Sequence, residues 1–260
     1  MVKGLTLFRE FFTGYSNQYI LIGGTACDIL MEDAGFGFRR TKDLDIVLCV
    51  EALHSDFIER FWEFIHLGQY QIREGSDGSK KFYRFTKPLK SEYPVMLELF
   101  SRKPMPLMNR RLEGITPITI DEEVVSLSAI LLDDSYYEFI KNEKKYLSGV
   151  PVVSANCMIA LKAKAWLDLS ERKQRGEKID STSINKHKND VWKLVSLMES
   201  RSPNEIPVSV KLDMKHFLAK MEKEQSSGPL GLDGMEKEEL LEQIRAVYLG
   251  LNVDSEDTVT

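Results

Sequence analysis

The spacing of hydrophobic positions divides this chain into two parts of different character. In the first part, apolar residues recur every three or four positions in some segments and form short runs in others, which predicts helices mixed with strands. The predicted helices cover 5–15, 25–31 and 55–67. The predicted strands cover 19–22, 43–48 and 95–100, and a hairpin joins 70–73 to 81–86.

The second part begins after Pro151 and carries helical patterns alone. These patterns cover 155–175, 184–200, 208–224 and 236–249. We therefore predict an α+β fold, with a mixed β-sheet flanked by helices over 1–150 and a C-terminal helical domain over 151–260. Between the two, 104–117 is predicted to be irregular, and 118–132 to hold a short strand and a helix.

Composition is ordinary for a soluble protein, with 43% hydrophobic and 29% charged residues among 260. No apolar run approaches the roughly 18 residues that a membrane-spanning helix needs, so we expect no membrane contact. The N-terminal residues lack the pattern of a signal peptide, and we expect a cytoplasmic protein. The net charge of −5 means that any contact with nucleic acid must be local.

The three cysteines, Cys27, Cys49 and Cys157, lie far apart along the chain. Each falls inside a predicted helix or strand, and their number is odd. We therefore predict buried free thiols rather than a disulfide framework or a zinc site.

Two acids on one predicted strand are the first candidate for chemistry. Asp43 and Asp45 stand at alternate positions, so their side chains project from the same face. Adjacent carboxylates repel each other unless a cation or a proton neutralises them. The plain alternative is a solvated strand end with two acids. We favour a metal site because the flanking residues are apolar and because Arg39 and Arg40 precede the strand, as a phosphate-binding edge needs.

The turn Gly23-Gly24-Thr25 lies between the first predicted strand and its following helix. Glycines let the backbone approach a bulky anion, and the helix start directs N–H groups at it. Glu98 is a single acid in a later apolar strand. It is either at a sheet edge, in a salt bridge, or a third acid that completes a metal site or accepts a proton from an attacking hydroxyl.

A strand ending in Gly-Gly-Thr, a helix, an Asp-x-Asp strand and a later acid resemble the DNA polymerase β-type nucleotidyltransferase superfamily. The resemblance implies the nucleotidyltransferase fold over 1–150. It also implies transfer of a nucleoside monophosphate from a nucleoside triphosphate to an acceptor hydroxyl, with release of pyrophosphate. Two Mg²⁺ ions would be bound in such an enzyme. The implied residues are Asp43, Asp45 and Glu98 for catalysis and metal binding, and Gly23, Gly24 and Thr25 for nucleotide binding.

Two features depart from that pattern. Seventeen residues separate Thr25 from Asp43, which is somewhat longer than usual in the superfamily, and the third acid is often aspartate rather than glutamate. We interpret the extra length as a loop insertion within 32–38.

Two later helices are similar to those of AbiE-type toxins and minimal bacterial nucleotidyltransferases. Lys162 matches a helix lysine and Asp190 the first of two aspartates, whereas Lys193 replaces the second. The resemblance implies that Lys162 offsets the triphosphate charge, with Arg40 as a weaker candidate, and that Asp190 also belongs to the nucleotide site. It further implies an antitoxin-like partner in a bacterial toxin–antitoxin system.

Two questions stay open at this point. The acceptor is a tRNA, a small molecule or a protein, and the base of the nucleotide is not specified. The alternative to an enzyme is a non-catalytic nucleotide- or partner-binding domain of a toxin–antitoxin-like system. Binding of a divalent metal and appearance of pyrophosphate would discriminate between the two.

Overall fold

The computed structural model describes most of the chain in two compact units. The described residues are 2–39, 41–49, 54–75, 82–100, 116–118, 130, 133–200, 205–225 and 234–250, and of 72–75, 82–83 and 116–118 only the backbone is described. The first unit comprises 1–132 and 141–154, and the second comprises 133–140 and 155–260. The chain therefore passes between the units near the predicted 150/151 boundary, and a second short segment also changes unit.

A mixed β-sheet forms the centre of the first unit. Its strands are β1 (Tyr19–Ile22), β2 (Asp43–Leu48), β3 (Gln71–Gly75), β4 (Phe82–Thr86), β5 (Met96–Phe100), β6 (Thr116–Ile118), β7 (Lys144–Leu147) and β8 (Val150–Val153). Their order is β6-β3-β4-β5-β2-β1-β8-β7. The pairs β1–β8, β2–β5 and β3–β6 are parallel, whereas the remaining neighbours are antiparallel.

Helices α1 (Leu5–Phe11) and α3 (Ser55–Gly68) cover one face of this sheet with aromatic side chains. Phe8 lies 5.6 Å from Phe64 between ring centroids, and Phe61 lies 5.5 Å from Phe85 of β4. In-register neighbours point to the same face of a sheet, so this apolar face also holds Leu97, which pairs with Phe85. The residues next to these along each strand therefore point to the opposite face.

The second unit is helical. Its helices are α4 (Asp134–Asn142, which passes into the first unit after 140), α5 (Ala155–Gln174), α6 (Ser181–Val195), α7 (Val208–Lys223) and α8 (Lys237–Leu249). Helix α5 packs against α6 and α7, and α8 packs against α7 and α6. Asp213 of α7 accepts hydrogen bonds from Lys164 at 2.8 Å and from Tyr136 at 3.0 Å, which joins three helices.

The predicted fold class is confirmed: a mixed sheet with flanking helices precedes a helical part of the chain. The predicted buried free thiols are confirmed at Cys27, Cys49 and Cys157. In the described part of the chain, no helix is both long enough and apolar enough to span a membrane.

Several element boundaries differ from the prediction. Helix α1 ends at Phe11 rather than near 15, and α2 (Gly23–Asp33) begins at the first glycine of the turn. The predicted features over 104–115 and most of 119–132 lie outside the described residues.

Helix α4 and the β7–β8 hairpin were not predicted. The hairpin strands have four residues each and β8 contains Pro151, which masks the strand pattern. They are joined by Ser148 and Gly149, both with positive φ, at 51° and 79°. Two such residues are typical of a tight hairpin turn, and the Ser-Gly pair was the signal in the sequence that could have identified it.

Candidate active site

The two acids of β2 lie on the face of the sheet opposite the one that α1 and α3 cover with aromatic side chains. Asp43 and Asp45 are half-buried, whereas Leu44 and Ile46 are fully buried. This alternation is what the strand pattern predicts. The neighbouring backbone is held by Thr25, whose hydroxyl donates to the carbonyl oxygen of Asp43 at 2.6 Å.

Strand register brings Glu98 and an arginine into line with Asp45. Asp45 pairs with Glu98 of the parallel strand β5, and Glu98 pairs with Arg84 of the antiparallel strand β4. In-register partners share a face, so the three side chains form a row across three neighbouring strands. We refer to Asp45, Glu98 and Arg84 as the charged row.

Glu98 is held from both sides within the charged row. Its side chain is 8% exposed, and its Oε1 accepts from Nε and lies next to Nη2 of Arg84, at 2.7 and 2.6 Å. Glu98 also shares a side-chain hydrogen bond with Asp45. The contact with a basic side chain that the salt-bridge alternative requires for Glu98 is therefore present. Arg84 itself was missed, because only the pairing of β4 with β5 places it opposite Glu98.

Burial of Glu98 raises the pKa of its carboxyl to about 9, and the neighbouring Asp45 charge and the shared hydrogen bond act in the same direction. The Arg84 guanidinium opposes this change without cancelling it. At neutral pH Glu98 therefore carries a proton. That proton relieves the repulsion between Glu98 and Asp45, and the repulsion expected between Asp43 and Asp45 is not affected by it.

This pKa predicts how stability depends on pH. The unfolded carboxyl releases its proton near pH 4.5, whereas the folded one keeps it up to about pH 9. Between these values the folded state binds more protons, so its free energy of unfolding falls as pH rises. The contribution is complete below pH 4.5 and is lost by about pH 9.

Glu98→Gln should remove this dependence, because its amide can still accept from Arg84 and donate to Asp45. We therefore expect the urea midpoint of the variant, relative to that of the wild type, to increase as pH rises from 4.5 to about 9. Parallel pH profiles of the two proteins would contradict the assignment of a proton to Glu98.

The glycine turn lies directly against the acids. Gly23 has a φ of +65°, and a Cβ at this position would lie 1.7 Å from Oδ2 of Asp45. A Cβ at Gly24 would lie 2.8 Å from Oγ1 of Thr41. Only glycine leaves room for the Asp45 carboxylate here, so the turn and the acids form one site. The first turn of α2 adds N–H groups of the kind that bind phosphate.

Asp43 and Asp45 fit a metal site, and Glu98 lies in register beside Asp45; metal binding by the three acids stays a prediction. Within the described ranges, no three or more His, Cys, Asp and Glu side chains are arranged so that they could hold a metal ion. Mg²⁺ is commonly bound by one or two carboxylates together with substrate phosphates. Asp43 and Asp45, beside a turn that a Cβ would fill, suit that type of site.

The remaining predicted residues belong to the second unit or lie outside the described residues. Lys162 of α5 and Asp190 of α6 are in the second unit, where Lys162 Nζ lies 3.1 Å from Asp190 Oδ2 and both side chains are buried. The structure therefore brings these two together, as an ion pair between helices. Their contact with nucleotide stays a prediction. Arg40 lies outside the described residues.

Comparison with known proteins gives similarity of structure without similarity of sequence. No protein-family model and no curated protein sequence matches the chain. An antigenic nucleotidyltransferase-like protein from Paracoccidioides brasiliensis is similar over 83% of this chain and 85% of its own, at 14% identity and a TM-score of 0.44. The antibiotic-resistance factor ANT(2'')-Ia is similar over 84% of this chain and 92% of its own, at 11% identity and a TM-score of 0.38. At these TM-scores neither structural similarity supports a conclusion about function, so a functional proposal depends on the geometry of the site.

Proposed function

We propose that this chain is a nucleotidyltransferase, which moves a nucleoside monophosphate from a nucleoside triphosphate to an acceptor hydroxyl and releases pyrophosphate. One observation carries the proposal: the glycine turn of β1–α2 abuts the carboxylate of Asp45, leaving no space for a Cβ at Gly23. A turn suited to phosphate and a pair of carboxylates suited to Mg²⁺ thereby occupy one corner of the sheet.

Asp43 and Asp45 would hold Mg²⁺ in this proposal. Bound Mg²⁺ supplies charge stabilisation to the phosphate oxygens during transfer. Backbone N–H groups of Gly23, Gly24 and Thr25 would orient the triphosphate. The Thr25 hydroxyl is already bonded to the Asp43 carbonyl, so Thr25 contributes through its backbone.

The transfer forms one bond to the α-phosphorus and breaks another. The oxygen of the acceptor hydroxyl bonds to this phosphorus, and the bond to the bridging oxygen breaks, so that pyrophosphate leaves with the electron pair. The hydroxyl proton passes to water. Without bound metal, burial and the neighbouring Asp45 charge raise the pKa of Glu98, so in that state its carboxyl holds a proton rather than accepts one. We assign Glu98 the task of orienting Asp45.

Labelled triphosphates test the reaction directly. The protein is incubated with Mg²⁺, a cell extract and each triphosphate in turn, labelled either at the α- or at the γ-phosphate. Nucleotidyl transfer predicts that the α-label enters an acceptor and that the γ-label appears in pyrophosphate. The labelled fraction then identifies the acceptor as tRNA, small molecule or protein.

A matched Asp45→Asn protein controls for contaminating enzymes in this experiment. Transfer of the γ-label would instead indicate a kinase. Triphosphate binding without any pyrophosphate would favour the non-catalytic nucleotide-binding domain.

Gly24→Ala tests the turn. The added methyl group meets Thr41 and occupies space on the phosphate side of the turn, so we expect a higher KM for the triphosphate with a smaller change in kcat. Steady-state kinetics with varied triphosphate at saturating Mg²⁺ measures both constants. Gly37→Ala is the control, because a Cβ at Gly37 meets nothing within 4 Å. An unchanged KM in folded Gly24→Ala would remove Gly24 from the nucleotide site.

A further inference from the structure

A hydroxyl group lies against the glycine turn, at the end of α2 where phosphate would bind. It belongs to Thr41, a half-buried residue shortly before β2. A Cβ added at Gly24 would lie 2.8 Å from Thr41 Oγ1. Gly24 is in the first turn of α2, and the Cα–Cβ bonds of a helix tilt towards its N-terminus. Thr41 Oγ1 therefore lies beside the helix end where the first N–H groups have no partner within the helix.

The two glycines of the turn face different chemical groups. A Cβ at Gly23 would meet the carboxylate of Asp45, whereas a Cβ at Gly24 would meet the hydroxyl of Thr41. An ionised carboxylate only accepts hydrogen bonds, but a hydroxyl can also donate one. A phosphate oxygen is an acceptor, so Asp45 needs a metal ion between itself and the phosphate. The hydroxyl of Thr41 can bond the phosphate directly.

A second hydroxyl near the turn already has another partner. Thr25 is fully buried, and its hydroxyl donates to the carbonyl oxygen of Asp43 at 2.6 Å. A hydroxyl has one hydrogen to donate, so Thr25 cannot bond a phosphate oxygen while it keeps this bond. Gly24 has no side chain to offer. A hydroxyl donor at Gly24 therefore has to come from another segment, and Thr41 brings one there.

We propose that the hydroxyl of Thr41 donates a hydrogen bond to a phosphate oxygen of the bound triphosphate, in place of the side chain that Gly24 lacks. This inference rests on the proposed function and adds a residue from the segment before β2 to the phosphate site. Hydrogen bonds to charged oxygens are among the stronger ones. Since the bond is made to the phosphate chain, its contribution should not depend on the base or on the acceptor.

Calorimetric titration with Mg²⁺ and each of ATP, GTP, CTP and UTP, without acceptor, tests the inference. Thr41→Val nearly keeps the shape of the side chain but removes the hydroxyl, and should weaken triphosphate binding about tenfold or more. Thr41→Ser keeps the hydroxyl and loses a methyl group, and should bind nearly as the wild type does. A role in packing alone predicts the opposite order of the two variants. Thr41→Ala replaces Thr41→Val if the latter does not fold.

A double variant moves the hydroxyl onto the turn itself. Thr41→Ala removes Oγ1, and the nearest remaining atom of this side chain lies 3.2 Å from a Cβ at Gly24. Gly24 is helical, so the backbone accepts a serine. Thr41→Ala/Gly24→Ser should therefore bind triphosphate more tightly than Thr41→Ala. Thr13→Val is the control, because it removes an exposed hydroxyl that donates to the Arg9 carbonyl, and should bind as the wild type does.

The failures are distinguishable. Wild-type affinity in folded Thr41→Val overturns the inference, and so does a loss in Thr41→Ser that equals or exceeds it. A double variant that binds no better than Thr41→Ala also overturns it, since the hydroxyl would then not act at the turn. Each of these results leaves the proposed function in place if the wild type forms pyrophosphate. A wild type that binds none of the four triphosphates and forms no pyrophosphate removes both together.

Discussion

Asp45→Asn and Asp43→Asn should each abolish Mg²⁺-dependent transfer while leaving the protein folded. A bound metal supplies several kcal/mol of charge stabilisation, and each 1.36 kcal/mol corresponds to a factor of ten in rate, so we expect losses of about 100-fold or more. Stability should be unchanged or slightly higher, because one charge leaves a pair of adjacent acids. Pyrophosphate release and a urea denaturation curve for each variant measure the two effects.

The structure adds reasons why these variants should fold. Thr25 is bonded to the backbone oxygen of Asp43, which the substitution keeps. An asparagine at 45 can still accept from the protonated Glu98. Asp56→Asn, an exposed acid in the first turn of α3, controls for the loss of one negative charge elsewhere in the first unit. Near wild-type turnover in either site variant would exclude a carboxylate-bound metal at this pair.

Lys162→Ala should destabilise the protein strongly, because it removes the positive charge that faces the buried carboxylate of Asp190. The side chains of the pair are 7% and 2% exposed. Removing one member of such a pair costs about 3–5 kcal/mol, which is a large part of a typical domain's stability. Urea denaturation followed by a signal from the second unit, such as Trp192 fluorescence, measures this loss.

A double variant separates stability from nucleotide binding. Lys162→Met/Asp190→Asn removes both charges with little change in volume and should recover most of the lost stability. If Lys162 also contacts the triphosphate, this folded variant should still lose about 1.5–3 kcal/mol of nucleotide affinity. Unchanged affinity would reduce the role of Lys162 to joining α5 and α6. A stable Lys162→Ala protein would show that Asp190 finds water or another partner.

The properties that could be predicted from the sequence are those that depend on near neighbours along the chain. The alternation of β2 places Asp43 and Asp45 on one face, since successive side chains of any strand point to opposite faces. The glycine turn before α2 follows from the same local information. The short β7–β8 hairpin could not be predicted from hydrophobic periodicity, because four-residue strands have too few positions to establish a period.

The partners of those acids were decided by the tertiary structure. Asp45, Glu98 and Arg84 come from three strands that are separate in sequence, and they meet only because β5 pairs in parallel with β2 and antiparallel with β4. A shift of one residue in either pairing would turn Glu98 or Arg84 to the aromatic face. The packing of Phe61 against Phe85, and of Leu97 beside it, opposes such a shift by keeping the apolar residues inside.

The protonation of Glu98 is likewise a consequence of the tertiary structure. Any glutamate in a sequence is an acid with an ordinary pKa, and burial beside a second carboxylate is what raises that of Glu98 to about 9. The sequence by itself therefore determined which side chains could form a phosphate and metal site. The tertiary structure decided that one of the three acids holds a proton and an arginine, because desolvation and charge–charge repulsion depend on distances in space rather than on spacing along the chain.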